Sequence, residues 1–189
     1  MTVPPAFPSV DPSALPAVDT LLDALIEQIG PRVDPARCAM VGIHSGGVWV
    51  AEYLHRALGL ALPLGTIDVG LHRDDLETSG LRMRMRASMI PFEVAGADIL
   101  LVDDVLHTGR TIRAAMNELF DYGRPERVRL AALLDRGERH LPVAATFLGA
   151  HVAIDADREI VLDRCASGAH ADTLLLRVQP RSGPREPAA

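Results

Sequence analysis

The sequence predicts an α/β fold: a mainly parallel central sheet flanked by helices, with a small hood or hairpin. Three features lead there. Short apolar runs of strand length alternate with stretches of helical periodicity. Gly and Pro punctuate the joins between them. Strands separated by helices of roughly ten or more residues pair in parallel, because only a long crossover can return the chain to the same end of the sheet.

Taken in order, residues 1–12 are proline-rich and are expected to be poorly ordered. After Ser13, the residues Leu15, Val18, Leu22, Leu25 and Ile29 recur at helical spacing, and Gly30-Pro31 stops that helix. Residues 38–43 are a short apolar run suited to a buried strand. The run breaks at His44-Ser45-Gly46-Gly47, and Val48, Ala51, Leu54 and Leu58 then restore helical spacing as far as Gly59. Residues 63–71 read as another strand. In residues 81–89, Leu81, Met83, Met85, Ala87 and Met89 alternate with Arg82, Arg84, Arg86 and Ser88. A period of two is that of a half-buried strand, here with arginines on one face. Residues 98–104 form a buried strand ending in two carboxylates, followed by a turn and a helix over 111–122 that Gly123 and Pro125 stop. Residues 127–135, 145–150, 159–162 and 173–178 are further strand candidates. One domain is expected over 13–178, with a disordered tail over 179–189.

Composition narrows the function. The 189 residues are 48% hydrophobic and 23% charged, a globular balance. With aromatics at only 4%, the core must be built mainly from aliphatic side chains. No basic segment leads into an apolar run at the start, and no apolar stretch approaches the ~18 residues of a membrane span, so a cytoplasmic protein is expected. Cys38 and Cys165 are far apart, show no metal-ligand spacing and read as reduced structural thiols. Every one of the 19 basic residues is arginine. That excludes Schiff-base chemistry, a Walker-type phosphate lysine and a lysine general base. The net charge of -6 opposes a generally basic nucleic-acid binder.

The most informative segment covers residues 99–111. Four apolar residues bury a strand, and Asp103 and Asp104 emerge at its end. Adjacent like charges are unfavourable unless hydroxyls, cations or a metal satisfy them. A ribose diol supplies hydroxyls, and a magnesium-bound diphosphate supplies positive charge. Thr108, Gly109 and Thr111 then precede a helix, whose free amides and dipole attract phosphate. Carboxylates for a diol beside amides for a phosphate describe a receptor for ribose 5-phosphate. An Asp pair at a strand end also occurs in receiver-type phosphorylation domains, but those need a lysine that this chain lacks.

This segment resembles the thirteen-residue phosphoribosyl diphosphate signature of type I phosphoribosyltransferases. More narrowly, Asp103-Asp104-Val105-Leu106, Thr108-Gly109-Arg110-Thr111, Tyr122-Gly123-Arg124-Pro125 and Leu134-Asp135-Arg136-Gly137 are similar to the PyrR family. Val41-Gly42-Ile43, Gly65-Thr66-Ile67-Asp68 and Arg73-Asp74-Asp75-Leu76 extend the likeness, which runs over about residues 41–149. That family combines uracil phosphoribosyltransferase activity with regulation of pyrimidine operons through messenger RNA.

The resemblance implies roles position by position. Asp103 and Asp104, the catalytic pair, would hold the ribose hydroxyls and help organise the magnesium complex. Val105, Leu106, His107, Thr108, Gly109, Arg110 and Thr111 would hold the ribose and 5-phosphate of phosphoribosyl diphosphate (PRPP) or UMP. His44, Ser45, Gly46 and Gly47 would receive the diphosphate, although the family usually has Lys-Thr-Arg-Gly there. Asp135, Arg136 and Gly137 would lie near the uracil ring and the diphosphate, and Arg73 in the hood would close over it. Mg2+ would bind mainly through PRPP, with Asp103, Asp104 and Asp135 nearby. Arg82, Arg84 and Arg86 could replace the missing loop cations if their strand faces the site. A homodimer or dimer of dimers is implied. Against messenger RNA as a partner, the first helix carries Asp19, Asp23 and Glu27 and no basic residue. A UMP- or UTP-sensing RNA-binding attenuation regulator with weak or no catalysis, and a phosphoribosyltransferase for another base, are the alternative functions.

Overall fold

Burial of apolar stripes decides where the helices lie. Helix α1 (Val18–Ile29) buries Val18, Leu21, Leu22, Leu25 and Ile29, and leaves Asp19, Asp23 and Glu27 exposed. Helix α2 (Gly46–Ala57) buries Val50, Ala51 and Leu54, and α3 (Arg110–Asp121) buries Ile112, Ala115 and Leu119. The strands are β1 (Ser9–Val10), β2 (Cys38–Ile43), β3 (Gly65–Ile67), β4 (Asp98–Leu106), β5 (Arg127–Asp135), β6 (Phe147–Val152), β7 (Arg158–Arg164) and β8 (Leu174–Pro180). The computed structural model describes residues 9–10, 15–69, 87–165 and 173–181.

The central sheet has six strands in the order β1-β6-β5-β4-β2-β3, and every pairing within it is parallel. The α/β expectation therefore holds. Strands β7 and β8 form a separate antiparallel pair. Solid apolar strands are what a sheet covered on both faces requires. Along β4, Leu100 and Val102 join one core with α1, α2 and the β7–β8 pair, while Ile99 and Leu101 join a second core with α3. Helices α1 and α2 thus cover one face and α3 the other.

Several boundaries differ from the sequence reading for local reasons. Helix α1 begins at Val18 rather than near Ser13, because Pro16 disfavours helical geometry at Leu15 and carries no amide hydrogen. Among the described residues of the strand expected over 63–71, Gly65–Ile67 joins the sheet. Strand β4 runs to Leu106, because Val105 and Leu106 pair with Leu134 and Asp135. The carboxylates of Asp103 and Asp104 are consequently inside the strand's last turns of pairing, not beyond it. Residues 70–86, which include Arg73, Arg82, Arg84 and Arg86, lie outside the described residues, whereas Met89 bridges to Thr66.

At the amino ends of the strands, Asp98 ties β4 to β5. Arg127 grips its carboxylate at 2.6 and 3.1 Å and Arg129 donates to it at 2.8 Å. Arg129 also donates to the Arg32 carbonyl at 2.6 Å, and both arginines stand 5.7 Å over the Phe147 ring. Burial raises the Asp98 carboxyl, but hydrogen bonds and charge from Arg127 and Arg129 outweigh it and hold the group below the ordinary range. A carboxylate held low stabilises the fold above its unfolded value of about 3.9. That contribution is lost as pH falls through the lower folded value. The melting-temperature advantage of the protein over Asp98→Asn is expected to be full at about pH 7 and to close toward about pH 3. An advantage unchanged across that range would contradict the assignment.

Candidate functional site

The chains leaving β2 and β4 turn to opposite faces of the sheet: α2 follows β2 onto one core and α3 follows β4 onto the other. Because β2 and β4 are neighbours, this reversal opens a crevice at their carboxyl ends. The backbone is unusually close there. A Cβ on Gly47 would stand 2.6 Å from the Val102 carbonyl oxygen and 2.9 Å from Asp103 Cα, and one on Gly46 would overlap the Asp104 carboxylate. Only glycine lets the first turn of α2 rest on the acid pair. This contact sets a carboxylate against a helix start, where the dipole attracts negative charge. Asp103 is 6% exposed and Asp104 half-buried. The His44 amide donates to the Ile67 carbonyl at 2.9 Å, and the His44–Ser45 peptide is cis.

Beyond β4 the chain bends through His107, Thr108 and Gly109 into α3. Gly109 caps the helix at φ +91, a left-handed conformation natural to glycine. It brings no side chain of its own to the helix start, and amides at such a start are suited to an anion. A Cβ there would also press on Val143 at 3.3 Å. The loop is pinned from behind: the Thr108 carbonyl accepts from the amides of His140 and Leu141 at 3.0 and 3.1 Å. The Arg110 amide donates to Thr108 Oγ1 at 3.3 Å. Leu106 is a core residue, so it can serve a ligand only through its backbone, and Val105 packs against the other core. Thr111 is half-buried and Arg110 exposed.

The loop after β5 completes the arrangement. Its Arg136 amide donates to the Leu106 carbonyl at 3.1 Å. The Asp135 carboxylate accepts from the Gly137 amide at 2.8 Å and from Arg139 at 2.5 Å, with His151 Nδ1 at 3.6 Å. The Arg136 side chain is 4% exposed and turns back to the Arg158 carbonyl at 3.1 Å and to Glu138 at 3.3 Å. Burial pulls its guanidinium below the ordinary arginine value. His107 Nε2 meets Glu138 at 3.0 Å, a hydrogen bond that holds Glu138 below the usual carboxylate range. An open depression of about 310 Å3 lies against the loop, lined by His107, Thr108, Arg110, Glu138, His140 and Arg181.

The structure brings together the segments 44–47, 103–111 and 135–137 at one edge of the sheet. The sequence reading missed Glu138, Arg139 and His140, whose signal was a charged run directly after a strand's carboxyl end. Nothing in the sequence pointed to Arg181. Among the described residues, no group of three or more His, Cys, Asp or Glu could hold a metal by itself. No described helix is long and apolar enough to cross a membrane.

Comparisons with known proteins agree with this geometry. Residues 12–158 match the phosphoribosyl transferase domain family. The chain is 49% identical over 156 residues to a "Bifunctional protein PyrR" of Ralstonia nicotianae, covering 81% of this chain and 89% of that one. A protein of the same name from Pseudomonas aeruginosa is 52% identical over 126 residues, covering 67% of this chain and 74% of that one. Among solved structures, a hypoxanthine-guanine phosphoribosyltransferase from Bacillus anthracis superposes with a TM-score of 0.63 at 18% identity, covering 85% of this chain and 95% of that chain. A hypoxanthine phosphoribosyltransferase from Trypanosoma cruzi gives 0.61 at 19% identity, covering 86% and 92%. At those identities the structural likeness speaks for the fold alone. The glycine-to-carboxylate contact, the glycine-capped loop before α3 and the near-half identity over most of the chain lead to one assignment: this chain belongs to the PyrR family of the phosphoribosyltransferase superfamily.

Proposed function

We propose that the chain is a cytoplasmic uracil phosphoribosyltransferase that joins uracil to PRPP, releases diphosphate and yields UMP. The observation that carries this reading is the contact of Gly46 and Gly47 with the Asp103-Asp104 end of β4, beside the glycine-capped start of α3. It supports a cradle in which a pentose lies between a diphosphate loop at 44–47 and a phosphate loop at 107–111. The domain carrying it is taken as residues 13–178.

In the reaction, the bond from the anomeric carbon to the diphosphate oxygen breaks, and one from that carbon to uracil N1 forms as N1 loses its proton. Positive charge grows on the ribosyl ring while negative charge grows on the leaving group. Asp103 and Asp104 orient the ribose hydroxyls and stabilise the ring charge, and the amides of 44–47 receive the diphosphate. The α3 start and Thr108 hold the 5-phosphate, which anchors the sugar away from the bond being broken. Asp104, half-buried and acidic, fits a Mg2+ that arrives with PRPP, and such an ion would neutralise the leaving diphosphate. Asp135, whose carboxylate is already engaged by Arg139 and Gly137, supports the loop facing the base.

The relatives' name describes two functions, and regulation of pyrimidine gene expression is the second role proposed. The exposed Asp19, Asp23 and Glu27 of α1 direct any messenger-RNA contact away from that helix, since phosphate contacts dominate RNA affinity. Assembly as a homodimer or dimer of dimers belongs to the same proposal.

A turnover screen of uracil, orotate, cytosine, hypoxanthine and guanine with PRPP and Mg2+ tests the reading. Uracil alone should give nucleotide and diphosphate; preference for a purine or orotate would overturn it. Asp103→Asn and Asp104→Asn should each lower kcat/KM by roughly 100-fold, the scale of losing one preorganised electrostatic contact. Gly47→Ala should destabilise the fold by about 1–3 kcal/mol through overpacking against the Val102 carbonyl and should impair turnover with it. An alanine variant of unchanged stability would show that α2 does not rest on β4 as described.

A further inference from the structure

Arg139 meets four acceptors on three stretches of backbone. Its Nε donates to the Val143 carbonyl at 3.0 Å, Nη1 to the Gly137 carbonyl at 3.2 Å and to the His107 carbonyl, and Nη2 to Asp135 at 2.5 Å. Its side chain is 23% exposed, so these bonds are largely shielded from water. Val143 is also the residue against which Gly109 packs. The guanidinium therefore touches the β5 loop, the entry to the phosphate loop and the segment behind Gly109. A planar fork spreads fixed donors over three nitrogens and can satisfy divergent acceptors together; an ammonium has three donors, but all on one nitrogen.

The loop it holds needs holding. Gly137 and Glu138 are both left-handed, at φ +78 and φ +55. A residue with a side chain keeps that conformation only where its surroundings enforce it. Glu138 reaches His107, the same residue whose carbonyl Arg139 takes. Two successive side chains thus clasp one residue of the phosphate loop from opposite ends, one at its imidazole and one at its carbonyl.

We propose that Arg139 is a positioning residue that locks the phosphate loop to the β5 loop and so sets the affinity for PRPP. The inference rests on the phosphoribosyltransferase reading for its kinetic consequence, but not for the clamp itself. The clamp acts at the His107 carbonyl and the Asp135 carboxylate together. Its loss frees the phosphate loop and the β5 loop from one another, weakening substrate binding more than it slows the chemical step.

Two measurements on Arg139→Ala and Arg139→Lys test this. By NMR on the ligand-free protein, hydrogen exchange at the Arg136, His140 and Leu141 amides, which bridge the two loops, should quicken roughly tenfold or more in Arg139→Ala. In steady-state kinetics, KM for PRPP should rise at least about tenfold, the scale of a lost charge-assisted hydrogen bond, with kcat changed much less. Millimolar guanidinium should restore part of the lost affinity to Arg139→Ala. Arg139→Lys, whose single nitrogen cannot span all four acceptors, should lie between the two and serves if the alanine variant does not fold. Unchanged exchange at the bridging amides, or a kcat loss with KM unmoved, would overturn the proposal. If the unaltered protein turned over no base, the transferase reading would fail while the exchange measurement still decided the clamp.

Discussion

Close approach between the first turn of α2 and the carboxyl end of β4 is the constraint on which the site depends. Two glycines permit it, and neither could carry a Cβ without displacing the Asp103-Asp104 backbone or carboxylate. The contact joins the crossover helix of one face to the central strand at the place where the chain direction reverses. Everything else at that edge is built around it. β4 extends far enough to pair Leu106 with Asp135, which carries the β5 loop under the phosphate loop. Gly109 then turns the chain into α3 without filling the space in front of its amides.

The two ends of the sheet use arginine differently. At the amino ends, Asp98, Arg127 and Arg129 form an ion-paired cluster over Phe147 whose role is to hold β4 against β5. At the carboxyl ends, Arg136 and Arg139 are spent on backbone carbonyls and on Glu138 and Asp135. They shape loops rather than presenting bare charge. In a chain without lysine, arginine does both jobs. Its fixed fork, with donors on three nitrogens, suits it to bridging carbonyls too far apart for a single ammonium nitrogen.

How much of this was legible in the sequence follows from what each feature depends on. The strands β2, β4 and β5 were readable because their apolar runs are unbroken, the mark of burial on both faces. The ribose and phosphate roles proposed for 103–111 rest on acids, hydroxyls and glycine that are contiguous in the chain. The meeting of Gly46 and Gly47 with Asp103 and Asp104 was not readable, since it depends on β2 and β4 being neighbours. Of the expected strand 63–71, the described residues 63, 64, 68 and 69 lie outside the ladder, because a β-like composition does not reveal how many residues find a partner. Arg139 went unrecognised because three of its four partners are backbone carbonyls, which leave no trace in side-chain pattern.

The central claim is that an activated pentose lies across the acid pair with its 5-phosphate on the start of α3. The most direct test is a crystal structure of the protein with UMP. The account predicts ribose hydroxyls within hydrogen-bond reach of Asp103 and Asp104 and a phosphate on the amides of 108–111. Nucleotide bound elsewhere, with that crevice left to solvent, would contradict it.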